Sequence, residues 1–254
     1  MYNLEVEDRY QYLTRELDID IKEKQEDSIN TSNLIEEAIK IEDWEELSTL
    51  YIKIDSFSLV GMGNNISLIH SKMEEKQYNN MFIDIRENGG GATMYWTSLL
   101  SLILTENLVS HRTLEFKGVE SLRYLEHISN NNIENNKFIL NRTIEADTTV
   151  YKPNQLYILS SGVNYSAADD FLRTVKDYEL GTIIGSASDG GGSSGMQPMQ
   201  IKLPNSKLLI EFEPAILLEN GEPIRISGVE PDVHVTPSDA YNMCMDIIRE
   251  QYGY

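Results

Sequence analysis

The stretch MFIDIRENGGGAT, Met81 to Thr93, constrains the fold more than any other in this chain. Its opening residues, Met-Phe-Ile-Asp-Ile, are apolar at all positions but one. A strand wet on one face alternates apolar and polar side chains. A strand apolar nearly throughout is covered on both faces, as a parallel strand is when helices lie above and below it. Gly89, Gly90 and Gly91 follow, and then MYWTSLLSLIL, whose length and composition suit a buried helix. Strand, glycine turn and helix make one βα unit, and a succession of such units builds an α/β fold with parallel strands.

The flanking sequence repeats this logic. LYIKIDSF, from Leu50, alternates as a strand, and NNISLIHSKMEEKQYNN places Ile66, Ile69 and Met73 at helical spacing. QLYILS reads as a second buried strand, AADDFLRTVKDY as the helix after it, and GTIIGSA as a short third strand. RTLEFKG reads as a strand, and SLRYLEHISNNNIENNKFILN as a helix running into an Asn-rich loop. MQIKLPNSKLLIEFEPAILL is expected to be a hairpin turning at Pro204 to Ser206. NGEPIRISGVEPDVHVTP supplies a turn and a last strand, and a helix from Pro237 to about Glu250, containing Cys244, closes the chain. Residues 1–48 are different: polar, acidic and helix-forming in composition, with Ser32 or Asn33 placed to cap a second helix. The reading is a helical N-terminal segment over 1–48, adding no strand to the main sheet, and an α/β core over 49–254.

Composition narrows the partners. A net charge of −20 argues against nucleic acid and anionic membranes, which need basic surfaces. The single cysteine allows no internal disulfide, the histidines are scattered, and neither glycine run is followed by the Lys-Ser or Lys-Thr of a phosphate loop. No metal and no cofactor is expected. The N-terminus has neither a basic nor an apolar region of a signal peptide, and no apolar run has the length of a membrane span, so the chain as given reads as cytoplasmic.

The chemistry centres on VNYSAADDF. Ser166 stands between a buried strand and a helix, an arrangement that exposes a nucleophile on a sharp turn. The positive end of the helix beginning at Ala167 would lie at its hydroxyl. Because no Cβ intrudes at Gly89, Gly90 and Gly91, their backbone amides can approach a substrate and, with the amide of Ala167, receive a developing oxyanion. Asp84 and Arg86 read as the structural support of the glycine turn.

Three segments, in order, resemble the tail-specific or C-terminal processing serine peptidases, a family that includes the tricorn core protease and nisin-resistance proteins. MFIDIRENGGG resembles the signature hydrophobic-Asp-Leu-Arg-x-Asn-x-Gly-Gly. LSSGVNYSAADDFLRTVKDYELGTIIGSASDGGG resembles the nucleophile segment with its S-A-x-E motif, Asp169 standing for the glutamate. GVEPDVHV resembles the closing Gly-hydrophobic-x-Pro-Asp-hydrophobic-x-Val. The resemblance spans roughly residues 50–236 and implies a crotonase- or ClpP-like core of stacked βα units, a peptide or protein substrate, and acyl transfer to Ser166 followed by hydrolysis. No PDZ module fits before the core.

The resemblance fails at the general base. One branch of the family takes it from a lysine in a T-x-G-K-G loop; the matching position here is Gly191, and no lysine stands between Lys176 and Lys202. The other branch takes it from a histidine in an N-terminal helical region, whereas the first histidine here is His70. Three explanations stay open. Lys53, or next His111, serves as base; a partner or a second subunit supplies one; or the chain is a degenerate peptidase that binds peptides without cutting them. A third function class, a crotonase-like acyl-thioester enzyme on the same superfold, finds no support in the Ser166 segment.

Overall fold

A computed structural model describes residues 39–116, 136–191, 199–219, 222–223 and 228–253. In chain order the elements are β1 (Ile39–Trp44), β2 (Thr49–Ile54), α1 (Met62–Glu75), β3 (Asn80–Asp84), α2 (Thr93–Ile103), β4 (Leu108–Phe116), β5 (Lys137–Ile144), β6 (Gln155–Ser160), α3 (Ala167–Asp177), β7 (Thr182–Gly185), β8 (Met199–Lys202), β9 (Leu209–Phe212), β10 (Ala215–Glu219), β11 (Glu222–Pro223), β12 (Val233–His234) and α4 (Pro237–Gln251). The main sheet is six-stranded, in the order β1-β2-β3-β6-β7-β12. From β2 to β12 its neighbours run parallel. The apolar run at Met81 is its middle: every residue of β3 is buried.

Alternation along the strands sorts the core into two layers. Leu50, Ile52, Ile54, Met81, Ile83, Leu156, Ile158 and Ile183 face α1, α2 and α3. Tyr51, Phe82, Tyr157, Leu159 and Ile184 face α4 through Ala240, Cys244 and Ile248. Cys244 is fully buried there, and burial pushes its thiol up from the ordinary value.

Three sequence expectations are corrected. The helical reading of residues 1–48 fails at its end, where Ile39–Trp44 forms an edge strand antiparallel to β2. Ile39 and Ile41 alternate toward the core, and Trp44 stacks on Tyr51 at 5.0 Å between ring centres. The Glu- and Lys-rich composition suggested helix, but the open β2 edge selected the period of two instead. The helices expected before this strand lie outside the described residues. The Asn-rich loop expected to reach the end of KFILN stops earlier: Lys137–Ile144 is β5, paired antiparallel with β4 over its whole length. The helix expected in SLRYLEH lies outside the described residues. The hairpin expected in MQIKLPNSKLLIEFEPAILL forms over β8 and β9, which pair antiparallel, but its last residues, Ala215–Leu218, leave it as β10 and pair with β4.

A second, four-stranded sheet has the order β11-β10-β4-β5. It is tied to α3 at Asp170, a buried carboxylate that accepts from both Arg112 and Arg142; Arg142 also lies over the Trp96 ring at 4.7 Å. In the main sheet Asp84 pairs with Leu159, Leu159 with Ile184 and Ser160 with Gly185. The turns leaving β3, β6 and β7 therefore emerge side by side at the carboxyl edge, where open α/β sheets hold their ligands.

Candidate active site

The turn after β6 carries Ser166 directly before α3, with φ 55° and ψ −119°. That backbone is strained for a residue with a Cβ, by about 1–3 kcal/mol, and persists only where its surroundings enforce it. Here the enforcement is visible. Ser166 N donates to Gly190 O at 3.0 Å, Tyr165 and Gly190 form a parallel bridge, and Asp170 N donates to Ser166 O at 3.0 Å. The Ala167 amide, at the helix N-terminus, has no hydrogen-bond partner among the described residues.

The glycine turn after β3 packs straight onto this serine. Gly90 is buried at φ +113°, and a Cβ built on it would stand 2.6 Å from Tyr165 O, 3.1 Å from Ser166 Cβ and 3.2 Å from the Ala167 nitrogen. No side chain fits, so glycine is required here for close approach as well as for backbone angle. The three glycines are not equivalent. Gly90 N already donates to Asn88 Oδ1 at 2.9 Å. Gly91 bridges to Phe57, with Phe57 N donating to Gly90 O and Ala92 N to Phe57 O. In that register the Gly91 amide points away from Phe57, and it has no partner among the described residues. Gly89 is exposed.

Two asparagines join the turns. Asn88 Nδ2 donates to Ile54 O at 3.1 Å. Asn164, fully buried, donates from Nδ2 to Ile85 O at 2.5 Å and Asn88 O at 3.0 Å, and accepts at Oδ1 from Ser161 N at 2.7 Å. Ser161 Oγ donates to Arg86 O at 2.5 Å. Below them Arg86 grips buried Asp84 with two bonds, Nε–Oδ1 at 2.9 Å and Nη2–Oδ2 at 2.7 Å, and reaches Pro237 O at the start of α4. Tyr51 donates to the same carboxylate; burial first, and then Asp84, push its phenol up, so it stays a donor. Asp84 and Arg86 thus brace the turn from beneath. Asn88, Asn164 and Ser161 are functional supports that the sequence reading passed over, although Asn before Gly is a turn signal.

The loop after β7 closes the other side. Ser188 Oγ donates to buried Asp169 Oδ1 at 2.5 Å and accepts from Val229 N at 2.6 Å, which explains why the GVEPDVHV segment accompanies the serine segment. At Gly191 the φ is +76°, and a Cβ there would run into the ring of Tyr165. The space a side chain at Gly191 would take is therefore filled by the ring of the residue before the serine.

The suggested bases are elsewhere. Lys53 alternates with Ile52 and Ile54, which face α3, and so projects from the α4 side of the sheet, where it pairs with Asp55 at 3.0 Å. His111 is exposed on β4 between buried Ser110 and Arg112; Arg112 reaches α3, so His111 points the other way, its Nδ1 2.6 Å from Asn141 Oδ1. His234 is near exposed Glu230 at 3.5 Å. His70 Nε2 lies 3.0 Å from Thr149 Oγ1 and 3.4 Å from Asp147, beside a cavity of about 660 Å³ on α1 and α2 whose lining includes neither Ser166 nor the glycine turn. His127 lies outside the described residues. Among the described residues, Ser166 Oγ has no hydrogen-bonded base, and no three His, Cys, Asp or Glu side chains gather as a metal-binding group. No described helix is long and apolar enough to cross a membrane.

Residues 48–235 match the model of peptidase family S41. A tail-specific protease of Haemophilus influenzae is 25% identical over 169 residues, which are 63% of this chain but 21% of that protein, so the chain spans about a fifth of its curated relative. Among solved structures, a Parabacteroides merdae protein described as a peptidase superposes with a TM-score of 0.62 at 21% identity, over 83% of this chain and 64% of that one. Mature CPAF in complex with lactacystin gives 0.58 at 16% identity over 80% and 50%. A Streptococcus agalactiae lipoprotein gives 0.54 at 17% over 84% and 70%. These likenesses are of fold.

Proposed function

The chain belongs to peptidase family S41, and we propose that it acts on peptide or protein substrates through Ser166, as a serine peptidase whose proton transfer is weak or supplied from outside the chain. The observation that carries this reading is the strained Ser166 at the start of α3, pressed against Gly90. We infer as well that the peptidase core begins with β1, within residues 38–254, and has the crotonase- or ClpP-like arrangement of βα units.

In the proposed reaction Ser166 Oγ adds to the carbonyl carbon of a peptide bond. The carbonyl oxygen takes the charge and is received by the amides of Gly91 and Ala167, which have no hydrogen-bond partner among the described residues. The amine leaves with a proton, the acyl group stays on Ser166, and water releases it. Gly90 has a different part: its amide is held by Asn88, and its missing side chain admits the serine turn. The Ser166 proton needs an acceptor. The orientations of Lys53 and His111 speak against both, and Tyr165 occupies the space beside Gly191. A base from a second subunit or a partner fits best. A second reading, a peptide-binding relative that does not cut, is favoured by the same Tyr165 ring and by the open amide of Gly91, which could pair with an extended peptide.

A fluorophosphonate label on the full chain separates the readings, because it reports an activated serine without knowledge of the substrate. Slow labelling, lost in Ser166→Ala and accelerated on association with a partner or second copy, is the expected result. A folded wild type that binds peptides yet never labels belongs to the non-cutting class.

A further inference from the structure

We propose that the cavity of about 660 Å³ between α1, α2 and the end of β5 binds an aliphatic cation: a lysine or arginine side chain of a peptide, or a free alkylamine. The site is separate from Ser166, which does not line it. Its size lies within the range that holds small ligands. Part of its wall is apolar: Ile66, Leu102 and Ile144 line it, and the last two are buried. Beside them stand serine and threonine hydroxyls, and the backbone decides where their protons go. Thr97 Oγ1 donates to Met94 O at 3.1 Å, Ser98 Oγ to the same carbonyl at 2.8 Å, and Ser101 Oγ to Glu145 O at 2.6 Å. A hydroxyl that has already given its single proton offers only lone pairs to whatever enters.

The charged groups have the same character. Glu145 lines the cavity, and its carboxylate has no partner among the described residues. Asp147 Oδ1 accepts from the Thr149 amide at 2.7 Å and hydroxyl at 2.6 Å, which holds the carboxyl below the usual range and keeps it charged. Because Thr149 gives its proton to Asp147, His70 Nε2, 3.0 Å from that hydroxyl, is the donor, and a neutral His70 carries its lone pair at Nδ1. Lys152 Nζ donates to the carbonyls of Ser101, Leu102 and Asp147, and to neither carboxylate. Acceptors therefore prevail here over donors. A metal ion does not suit the cavity, since no three His, Cys, Asp or Glu side chains gather among the described residues. An anion is repelled by Glu145 and Asp147, and a neutral apolar ligand would desolvate both without pairing them. A cationic nitrogen on a methylene stem satisfies both halves. The stem packs on Ile66, Leu102 and Ile144, and the N–H groups meet the hydroxyls and carboxylates.

The test is calorimetric titration of the full chain at low salt with the blocked peptide acetyl-Ala-Lys-Ala-amide, its norleucine counterpart and 1,5-diaminopentane. Norleucine keeps the stem and lacks the charge. The lysine peptide should bind about tenfold more tightly than the norleucine peptide, and Glu145→Gln should weaken it by about five- to tenfold, as for a hydrogen bond to a charged group. Thr97→Val, which keeps the shape and removes the lone pairs, should weaken it less. Circular dichroism confirms that both variants fold. Glu145→Gln should leave fluorophosphonate labelling of Ser166 unchanged, so that a failure here is distinct from a failure of the serine reading. Tighter binding of the lysine peptide than of the diamine assigns the site to peptides, and the reverse assigns it to free amines; either result upholds a cation site. No binding of either amine, equal binding of the lysine and norleucine peptides, or an affinity indifferent to Glu145→Gln would each overturn the proposal.

Discussion

The two sides of Ser166 are built very differently. On one side the turns after β3 and β6 form a closed hydrogen-bonded block, in which Asn88, Asn164, Ser161, Asp84 and Arg86 satisfy one another and buried backbone groups. On the other side the loop after β7 is held just as firmly, through Ser188, Asp169 and Gly190, and its Gly191 abuts the ring of Tyr165 from the turn after β6. The first side does structural and chemical work with the same atoms: removing an asparagine would leave carbonyls unpaired in the core.

The strongest challenge to this contrast is to place a base beside Ser166. Tyr165→Ala combined with Gly191→Lys should raise the fluorophosphonate labelling rate and any peptide turnover by about 10²–10⁴, the range that general-base assistance contributes. Lysine at that left-handed position carries some strain, so labelling should be read with Cys244 as a fold reporter: buried and with its thiol pushed up, it should stay silent toward thiol reagents while the sheet is intact. No gain with Cys244 silent would show that a lysine at this position does not activate Ser166.

The next largest effect should come from the support of α3. Asp170→Ala leaves Arg112 and Arg142 buried without their shared carboxylate and should lower stability by about 3–5 kcal/mol in denaturant melts, as when one partner of a buried pair is removed. If the loss is small, the link between the second sheet and the serine helix is weaker than the geometry indicates.

Asn164→Ala should cost about 1–3 kcal/mol, because Ile85 O, Asn88 O and Ser161 N lose their side-chain partner. Labelling of Ser166 should fall by more than stability alone requires, since both turns lose their common tie. Equal labelling in the folded variant would separate the two turns functionally and break the contrast drawn above.

The smallest effect lies away from both sides, at Asp147. Hydrogen bonds from the Thr149 hydroxyl and amide, chiefly, hold its carboxyl below the usual range. A depressed folded value stabilises the fold above the ordinary carboxylate range and loses that contribution as pH falls through it. Thr149→Val should therefore flatten slightly the acid limb of Tm against pH and leave Ser166 labelling unchanged.

Much of this was legible in the amino-acid sequence because it is local. The unbroken apolar run at Met81–Ile85, the helix after the glycines and the strand–serine–helix order each lie within a single window, where the period of apolar residues reports what faces the core. The same locality misled at Ile39–Trp44, whose helix-forming residues became a strand once β2 offered an edge.

What the sequence by itself determined is the succession of buried βα units, the placement of Ser166 before a helix, and the glycines that clear the space beside it. What only the tertiary structure decided is which atoms are left for chemistry: that Asn88 takes the Gly90 amide while those of Gly91 and Ala167 stay open, that Lys53 and His111 point away, and that Tyr165 fills the room beside Gly191. The reason is physical. Periodicity within one segment sets which face is buried, but a proton moves only between atoms within hydrogen-bond reach, and that distance is set by segments far apart in the chain.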